Sequence, residues 1–227
     1  MGSKAGKKTL DKTLDAQESD VLPKIQPLIF FSSLTGNTEA YAKKLHESFN
    51  TKAIDGASTT ILSPQLHDLS YLDFDEFFIT PPKPPVTSSG LQYFYLILVP
   101  TYNIDTVLNT FLSHLEETHH DFRIDTAPLS TLAGYSVFGF GDKEGWPTED
   151  EGFCSQATEI DKWMAKLTNR KRAFPLGMGD VKLDAEQRLE EWKHGVEEVL
   201  QSLASGAGLG EGVRGSGDPI ESDEEEE

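Results

Sequence analysis

The sequence is poor in cysteine, in basic residues and in long apolar runs. One cysteine, Cys154, stands among 227 residues. A single thiol excludes a disulfide within this chain and any metal centre built from several of its cysteines. Such sparing use of cysteine fits a reducing, cytoplasmic compartment. Lys and Arg number 20 against 38 Asp and Glu, for a net charge of −18. That balance leaves no basic surface for direct nucleic-acid binding or for an anionic membrane. No apolar run approaches the ~20 residues that span a bilayer, and the first twenty residues hold no apolar core of a secretory signal. Two nucleotide signatures are also missing: Gly-x-x-x-x-Gly-Lys and Gly-x-Gly-x-x-Gly.

What is present is organised around residues 30–39. The apolar run 28–31 feeds into Ser32, Ser33, Leu34, Thr35, Gly36, Asn37 and Thr38, and a helical pattern with Tyr41, Leu45 and Phe49 on one face starts at once. This reads as strand, tight loop and helix N-terminus, a place where free N–H groups and the helix dipole favour an anion. Four hydroxyls, on Ser32, Ser33, Thr35 and Thr38, add hydrogen-bonding capacity, and Gly36 permits a tight turn or a close approach. A phosphate held by hydroxyls and amides alone suits a mononucleotide such as FMN. The plainer alternative is an ordinary strand-to-helix turn capped by Asn37 or Thr38.

The rest of the chain alternates strand and helix. A first strand is expected over 25–31 and its helix over 38–50. A weak second strand is expected over 59–66, where Pro64 suits an edge. Residues 71–78 read as a short helix packed on the sheet, and the proline-rich stretch 81–90 as a loop. Residues 93–99, seven apolar residues in a row, read as a strand buried on both faces. Leu108, Phe111, Leu112 and Leu115 then follow helical spacing. Further strands are expected over 135–140 and 172–178. They alternate with helices marked by Ile160, Trp163, Met164 and Leu167, and by Leu189, Trp192, Val196 and Leu200, the latter capped by Asp184. Such alternation implies a three-layer α/β/α sandwich around a parallel sheet. Flanking this domain, 24–204, are an expected disordered arm, 1–23, and an expected disordered tail, 205–227, Gly-rich and then acidic. Ligands in open sheets of this kind sit beyond the carboxyl ends of the strands. The candidate site therefore gathers residues 32–38, then Pro100, Thr101, Tyr102 and Asn103, and then Gly139, Phe140, Gly141, Asp142 and Trp146.

With these residues in view, the chain resembles the flavodoxin-like FMN-binding family. The match is Ser33-Leu34-Thr35-Gly36-Asn37-Thr38 after the first strand, Pro100-Thr101-Tyr102 after the third, Val137-Phe138-Gly139-Phe140-Gly141-Asp142 after the fourth, and Gly179-Asp180 after the fifth. Within it, the chain is most similar to the flavodoxin domain of the tRNA 4-demethylwyosine synthases. Asp121-Phe122-Arg123, Glu159-Ile160-Asp161-Lys162-Trp163-Met164 and Gly177-Met178-Gly179-Asp180 carry that likeness. The resemblance implies a five-stranded sheet in the order 2-1-3-4-5. It also implies FMN as cofactor and electron delivery to a radical-SAM iron–sulfur domain during wybutosine formation on tRNA. The cysteine triad of such a domain, Cys-x-x-x-Cys-x-x-Cys, does not occur in this sequence.

Two loops depart from the family pattern. After Tyr102 the chain runs through Asn103, Ile104 and Asp105 almost directly into a helix, and after Asp142 comes an acidic insertion containing Trp146. Tyr102 is a candidate to stack on the flavin ring, against the alternative of an exposed residue at a strand end. Trp146 is a candidate for the other ring face, against packing on its own insertion. Asp142 either lies near the flavin or stabilises its turn. Acidic surroundings would make the reduced cofactor a stronger donor, or merely keep the surface solvated. The function classes left open are an electron-transfer domain, a diflavin-reductase-like or stand-alone flavodoxin or quinone reductase, and a flavin-less interaction module of the same fold.

Overall fold

The computed structural model describes residues 22–54, 60–86, 90–102, 105–149, 152–210 and 212–215. Its regular elements are β1 (Lys24–Phe31), α1 (Asn37–Ile54), β2 (Gln65–Asp68), β3 (Leu91–Pro100), α2 (Thr106–His120), β4 (Gly134–Gly141), α3 (Ser155–Leu167), β5 (Gly177–Asp180) and α4 (Ala185–Ala204). The five strands form one parallel sheet in the order β2-β1-β3-β4-β5, as the family resemblance implies. Most of the arm expected over 1–23, the end of the tail and residues 87–89 of the proline-rich loop lie outside the described residues.

The central strand shows why the sheet needs two helical layers. Tyr95, Ile97 and Val99 of β3 pack with Leu108, Phe111 and Leu115 of α2 and with Ile160 and Met164 of α3. The alternate residues Phe94, Leu96 and Leu98 pack with Leu45 and Phe49 of α1 and with Trp192 and Val196 of α4. Successive side chains of a strand point to opposite faces, so a continuous apolar run demands cover on both. Each such side chain, fully buried, contributes about 1.5–3 kcal/mol. The short helix expected over 71–78 is a 3-10 turn, Leu69–Tyr71, and a π-helical turn, Asp75–Ile79, which buries Phe78.

Two strands differ from expectation. The second strand is broken: Ile61 makes an isolated bridge to Ile25, and regular pairing starts only at Leu28 with Gln65. Ile25 N–H donates to Thr60 O at 2.7 Å. Alternate residues of a parallel strand donate to the same neighbour, so the next donor on that side would be Pro27, which has no N–H. The fifth strand is shorter than 172–178. Arg172 bridges Tyr135, and pairing resumes only at Gly177. Pro175 cannot donate to a ladder, and the Ser136 hydroxyl reaches Phe174 O at 3.3 Å within this gap.

The Gly-rich stretch after α4, expected to be free tail from 205, instead lies on the fold as far as it is described. Val213 N–H donates to Arg172 O at 2.8 Å, and Arg172 Nη1 donates back to Val213 O at 3.0 Å. The buried Arg172 guanidinium needs acceptors on several sides, and this segment supplies one.

Candidate functional site

The first loop is built as its sequence suggests. Ser32 follows β1 directly and is buried, with its N–H on Leu98 O at 3.3 Å. Gly36 has φ +84°, a conformation that favours glycine, and its N–H donates to Ser33 Oγ at 3.0 Å. A Cβ built on Gly36 would meet nothing within 4 Å, so the space over the turn is open. Asn37, Thr38 and Glu39 open the 18-residue helix α1, where the first N–H groups have no acceptor within the helix. Thr38 is buried, whereas Leu34, Thr35 and Asn37 are exposed.

The second loop meets the first. Tyr102 Oη lies 3.2 Å from Thr35 Oγ1, a contact between residues 67 apart in sequence. The Tyr102 carbonyl accepts from Gln156 Nε2 at 2.9 Å, so α3 holds this loop from behind. Pro100 is buried at the end of β3, and Thr101 N–H donates to Phe140 O at 2.8 Å. The Thr101 hydroxyl is buried beside the Cys154 thiol. Asn103 lies outside the described residues.

The third loop is less open to a ligand than expected. Gly139, Phe140 and Gly141 are buried residues of β4. Gly139 lies under Ala157 and Cys154, and Gly141 under Phe153, closely enough that a Cβ would clash. Phe140 turns to the opposite layer and stacks on Tyr41, centroids 4.8 Å apart. Asp142 holds its turn: Oδ1 accepts the Glu144 N–H at 3.0 Å, and Oδ2 lies 2.9 Å from Lys182 Nζ. Lys182 also binds Glu144. The hydrogen bond from Lys182 is the main cause holding the Asp142 carboxyl below its usual range, and Glu144 and Asp142 raise the Lys182 ammonium. These two acids of the loop therefore share a cation. The half-buried Trp146 indole packs over Gly152 and against the α2–α3 side of the core.

Three residues outside the expected site tie these loops together. Asp105, buried, caps α2 by accepting from Val107 N and Leu108 N, both at 3.0 Å, while its other oxygen receives the Ser32 hydroxyl at 3.4 Å. An Asp just before a helical pattern is an N-cap signal that would have found it. Asp180, at the end of β5, accepts from Lys143 N at 3.1 Å and from Lys182 N at 2.8 Å. Gln156 has no local signal, because its partner is 54 residues away. Asp184 is the N-cap residue of α4, as expected, but its Oδ1 turns to Asp180 N at 2.8 Å and makes no side-chain bond to the helix. Cys154, the buried N-cap residue of α3, adopts φ +55°. Burial pushes its thiol up to about 12, with the Thr101 hydroxyl pulling slightly the other way. It is a packed small residue with little thiolate character.

The flavodoxin family matches residues 90–192 of this chain. The S-adenosyl-L-methionine-dependent tRNA 4-demethylwyosine synthase of Saccharomyces cerevisiae is 35% identical over 201 residues, 88% of this chain but 23% of that protein. The synthase of the same name from Schizosaccharomyces pombe is 34% identical over 177 residues, again covering 23% of its length. The chain thus spans about a quarter of the relatives it matches. Among solved structures, a short-chain flavodoxin associated with a bacterial microcompartment superposes with a TM-score of 0.51 over 78% of this chain, at 16% identity. A flavodoxin variant from Pseudomonas aeruginosa gives the same score at 14% identity. At those identities the likeness speaks for the fold alone, and it agrees with the sheet order and layers described above. The chain is a flavodoxin-like domain, and its sequence places it beside the tRNA 4-demethylwyosine synthases over about a quarter of their length.

Proposed function

We propose that this chain is an FMN-binding electron-transfer domain that serves a radical-SAM iron–sulfur domain in wybutosine formation on tRNA. The observation that carries the reading is the convergence of two distant loops at the start of α1, with Thr35 and Tyr102 hydroxyls 3.2 Å apart beside the open turn at Gly36. Hydroxyls, unpaired N–H groups and a helix dipole together suit a phosphate group. The residues present fit that end of FMN: Ser33, Thr35 and Asn37 are in reach of solvent, and no carboxylate of the first loop opposes an anion there. When bound, FMN accepts electrons from a two-electron donor and releases them singly.

The chain's own residues then have three tasks. The loop 32–38 holds the phosphate. Asp105 and Gln156 fix the positions of Ser32 and Tyr102 through the contacts described above. The Asp142–Lys182–Glu144 cluster keeps the fourth-strand turn in place. Contact with tRNA falls to other parts of such an enzyme, since a charge of −18 opposes a phosphate backbone.

The test starts with the purified protein. We expect it to be yellow, with FMN and not FAD released on denaturation and identified by mass. A colourless protein that ignores added FMN would favour the second reading, a flavin-less interaction module. The packing of Trp146 onto Gly152 is the observation on that side. The acceptor is tested by reconstitution with tRNA, S-adenosylmethionine, pyruvate, NADPH and a separately prepared radical-SAM domain. The chain is expected to replace a chemical reductant. Normal FMN binding without such replacement would point to a different acceptor.

A further inference from the structure

The last turns of α2 and α3 form a small positive corner on an acidic chain. Both helices return from the carboxyl edge of the parallel sheet, so these turns lie at its amino edge, away from the candidate cofactor loops. Trp163 of α3 is the hub. Lys162 Nζ and Lys166 Nζ lie 5.3 and 4.4 Å from its ring centre, and the His119 and His120 rings of α2 lie 5.6 and 5.8 Å from it. Arg170 follows in the closing turn of α3, with its N–H on Ala165 O at 2.8 Å. Lys162 is paired with Glu159 at 3.4 Å, but the half-buried Lys166 and the exposed Arg170 have no acidic partner among the described residues. A helix C-terminus favours cations, which accounts for their place but not for their lack of counter-charge in a chain with 38 acids against 20 bases. The chain past α4 arrives at this same corner. Gly212 lies against Arg170 O, Val213 pairs with Arg172, and Gly215 lies against the Arg172 guanidinium, itself bound to Asp161 of α3. Residues 216–227, outside the described residues, follow directly. They hold Asp218, Glu221 and the unbroken acids 223–227, and no Lys or Arg.

We infer that the acidic run 218–227 docks on the corner made by Lys166, Arg170, His119 and His120, as an electrostatic strap that continues the contact of 212–215. The inference is independent of the FMN reading. The start of the strap is fixed, because Gly215 already lies on Arg172 beside the end of α3. Its reach is ample: at about 3.3 Å per residue, the stretch 216–227 spans up to about 40 Å. Its charge is complementary to two unopposed cations, and exposed charges attract over about 10 Å at 0.1 M salt. Tethering keeps the acids at an effective concentration near the millimolar range, so weak pairs suffice. A nucleic-acid backbone is the poorer occupant, since it would compete with these tethered acids and approach a chain of charge −18. At the amino edge the strap leaves the loops 32–38 and 100–103 uncovered, and it holds seven carboxylates away from an anion site that they would oppose.

A spin label on the full chain tests the strap. Glu226→Cys adds a second thiol. Cys154 is buried and its thiol is pushed up to about 12, so a nitroxide reagent finds one site. Amide NMR spectra are compared at about 10 mM and about 1 M salt, where the screening lengths are about 30 Å and about 3 Å. The amides of His119, His120 and Trp163 are expected to lose intensity to the nitroxide at low salt and to regain it at high salt. Lys166→Glu with Arg170→Glu should abolish the loss at low salt. Asp223→Asn with Glu224→Gln, Glu225→Gln and Glu227→Gln should do the same from the other side, without touching the folded domain. Unchanged amides of Trp192 and Val196 verify that each variant folds. Losses spread evenly over the surface, or indifferent to salt and to both sets of substitutions, would overturn the inference. Losses in an isotope-labelled chain without nitroxide, mixed with a nitroxide-bearing chain, would reject it in favour of a second copy. A corner untouched by the nitroxide but shifted by added tRNA would reject it in favour of a phosphate backbone.

Discussion

Arg172 and Asp161 form an ion pair shut inside the protein, with side-chain exposures of 1% and 2%. Arg172 Nε lies 2.9 Å from both carboxylate oxygens, and its Nη2 lies 2.8 Å from Oδ2. Arg172 comes from the gap before β5 and Asp161 from the buried side of α3, so the pair joins sheet to helix. Removing one partner of a buried ion pair typically costs about 3–5 kcal/mol. Asp161→Ala is therefore expected to shift the urea midpoint sharply downward. A shift no larger than that of a surface substitution would mean that the guanidinium finds other acceptors in place.

The segment beyond α4 belongs to the same arrangement. Gly212 has φ +69°, and a Cβ there would sit 2.6 Å from Arg170 O. Left-handed backbone costs a residue with a side chain roughly 1–2 kcal/mol, and the clash adds to it. Gly212→Ala and a chain ended at 204 are both expected to lower stability by weakening the contact of Val213 with Arg172. Urea denaturation of the two beside the full chain checks this. Equal midpoints would make the segment incidental.

Thr35→Ala is expected to weaken FMN much more than riboflavin. The lost hydrogen bond to a charged phosphate is worth about 1.5–3 kcal/mol, and riboflavin has no phosphate to lose it. Equal losses for the two ligands, read by fluorescence quenching, would remove the loop from the phosphate site.

Acid should loosen the layer around the π-helical turn. His67 stacks on Phe30, centroids 5.3 Å apart, and its Nε2 is buried without a partner among the described residues. His114 Nε2 is likewise buried, with the ring against Phe74. Burial lowers the proton affinity of both below the usual histidine value of 6.5, although Asp75 pulls His114 the other way. The unfolded chain then binds more protons than the folded one, so stability falls as pH falls. It is full above the ordinary histidine range and declines below it. The midpoint of denaturation should drop between about pH 7.5 and about pH 5.5, and His67→Phe should flatten that drop. A wild-type midpoint that does not move over that span would rule out both histidines as the cause.

Periodicity carried most of the fold. The run 93–99 required cover on both faces, and the spacing of Leu108, Phe111 and Leu115 supplied part of it; the structure joins them in one core. Strand ends were harder to read. They turned on single missing donors at Pro27 and Pro175, whose effect depends on which neighbour each N–H would have faced. The first loop of the site could be read from Ser33 to Thr38, because a strand, a tight turn and a helix start are local features. Asp105 was legible as a cap and was overlooked. The roles of Tyr102, Trp146 and Gln156 were not legible, since their contacts lie with other loops or with a neighbouring layer.

The sequence by itself determined the class of fold, the order of strands and helices along the chain, and the strand–turn–helix form of the loop 32–38. These follow from patterns within about a dozen residues, where backbone geometry ties spacing to facing. Only the tertiary structure decided that Tyr102 meets Thr35, that Trp146 turns onto Gly152, that Asp142 and Glu144 share Lys182, and that the segment after α4 closes over Arg172. Each of these depends on where distant parts of the chain arrive, and hydrogen bonds and close packing act only over a few ångströms.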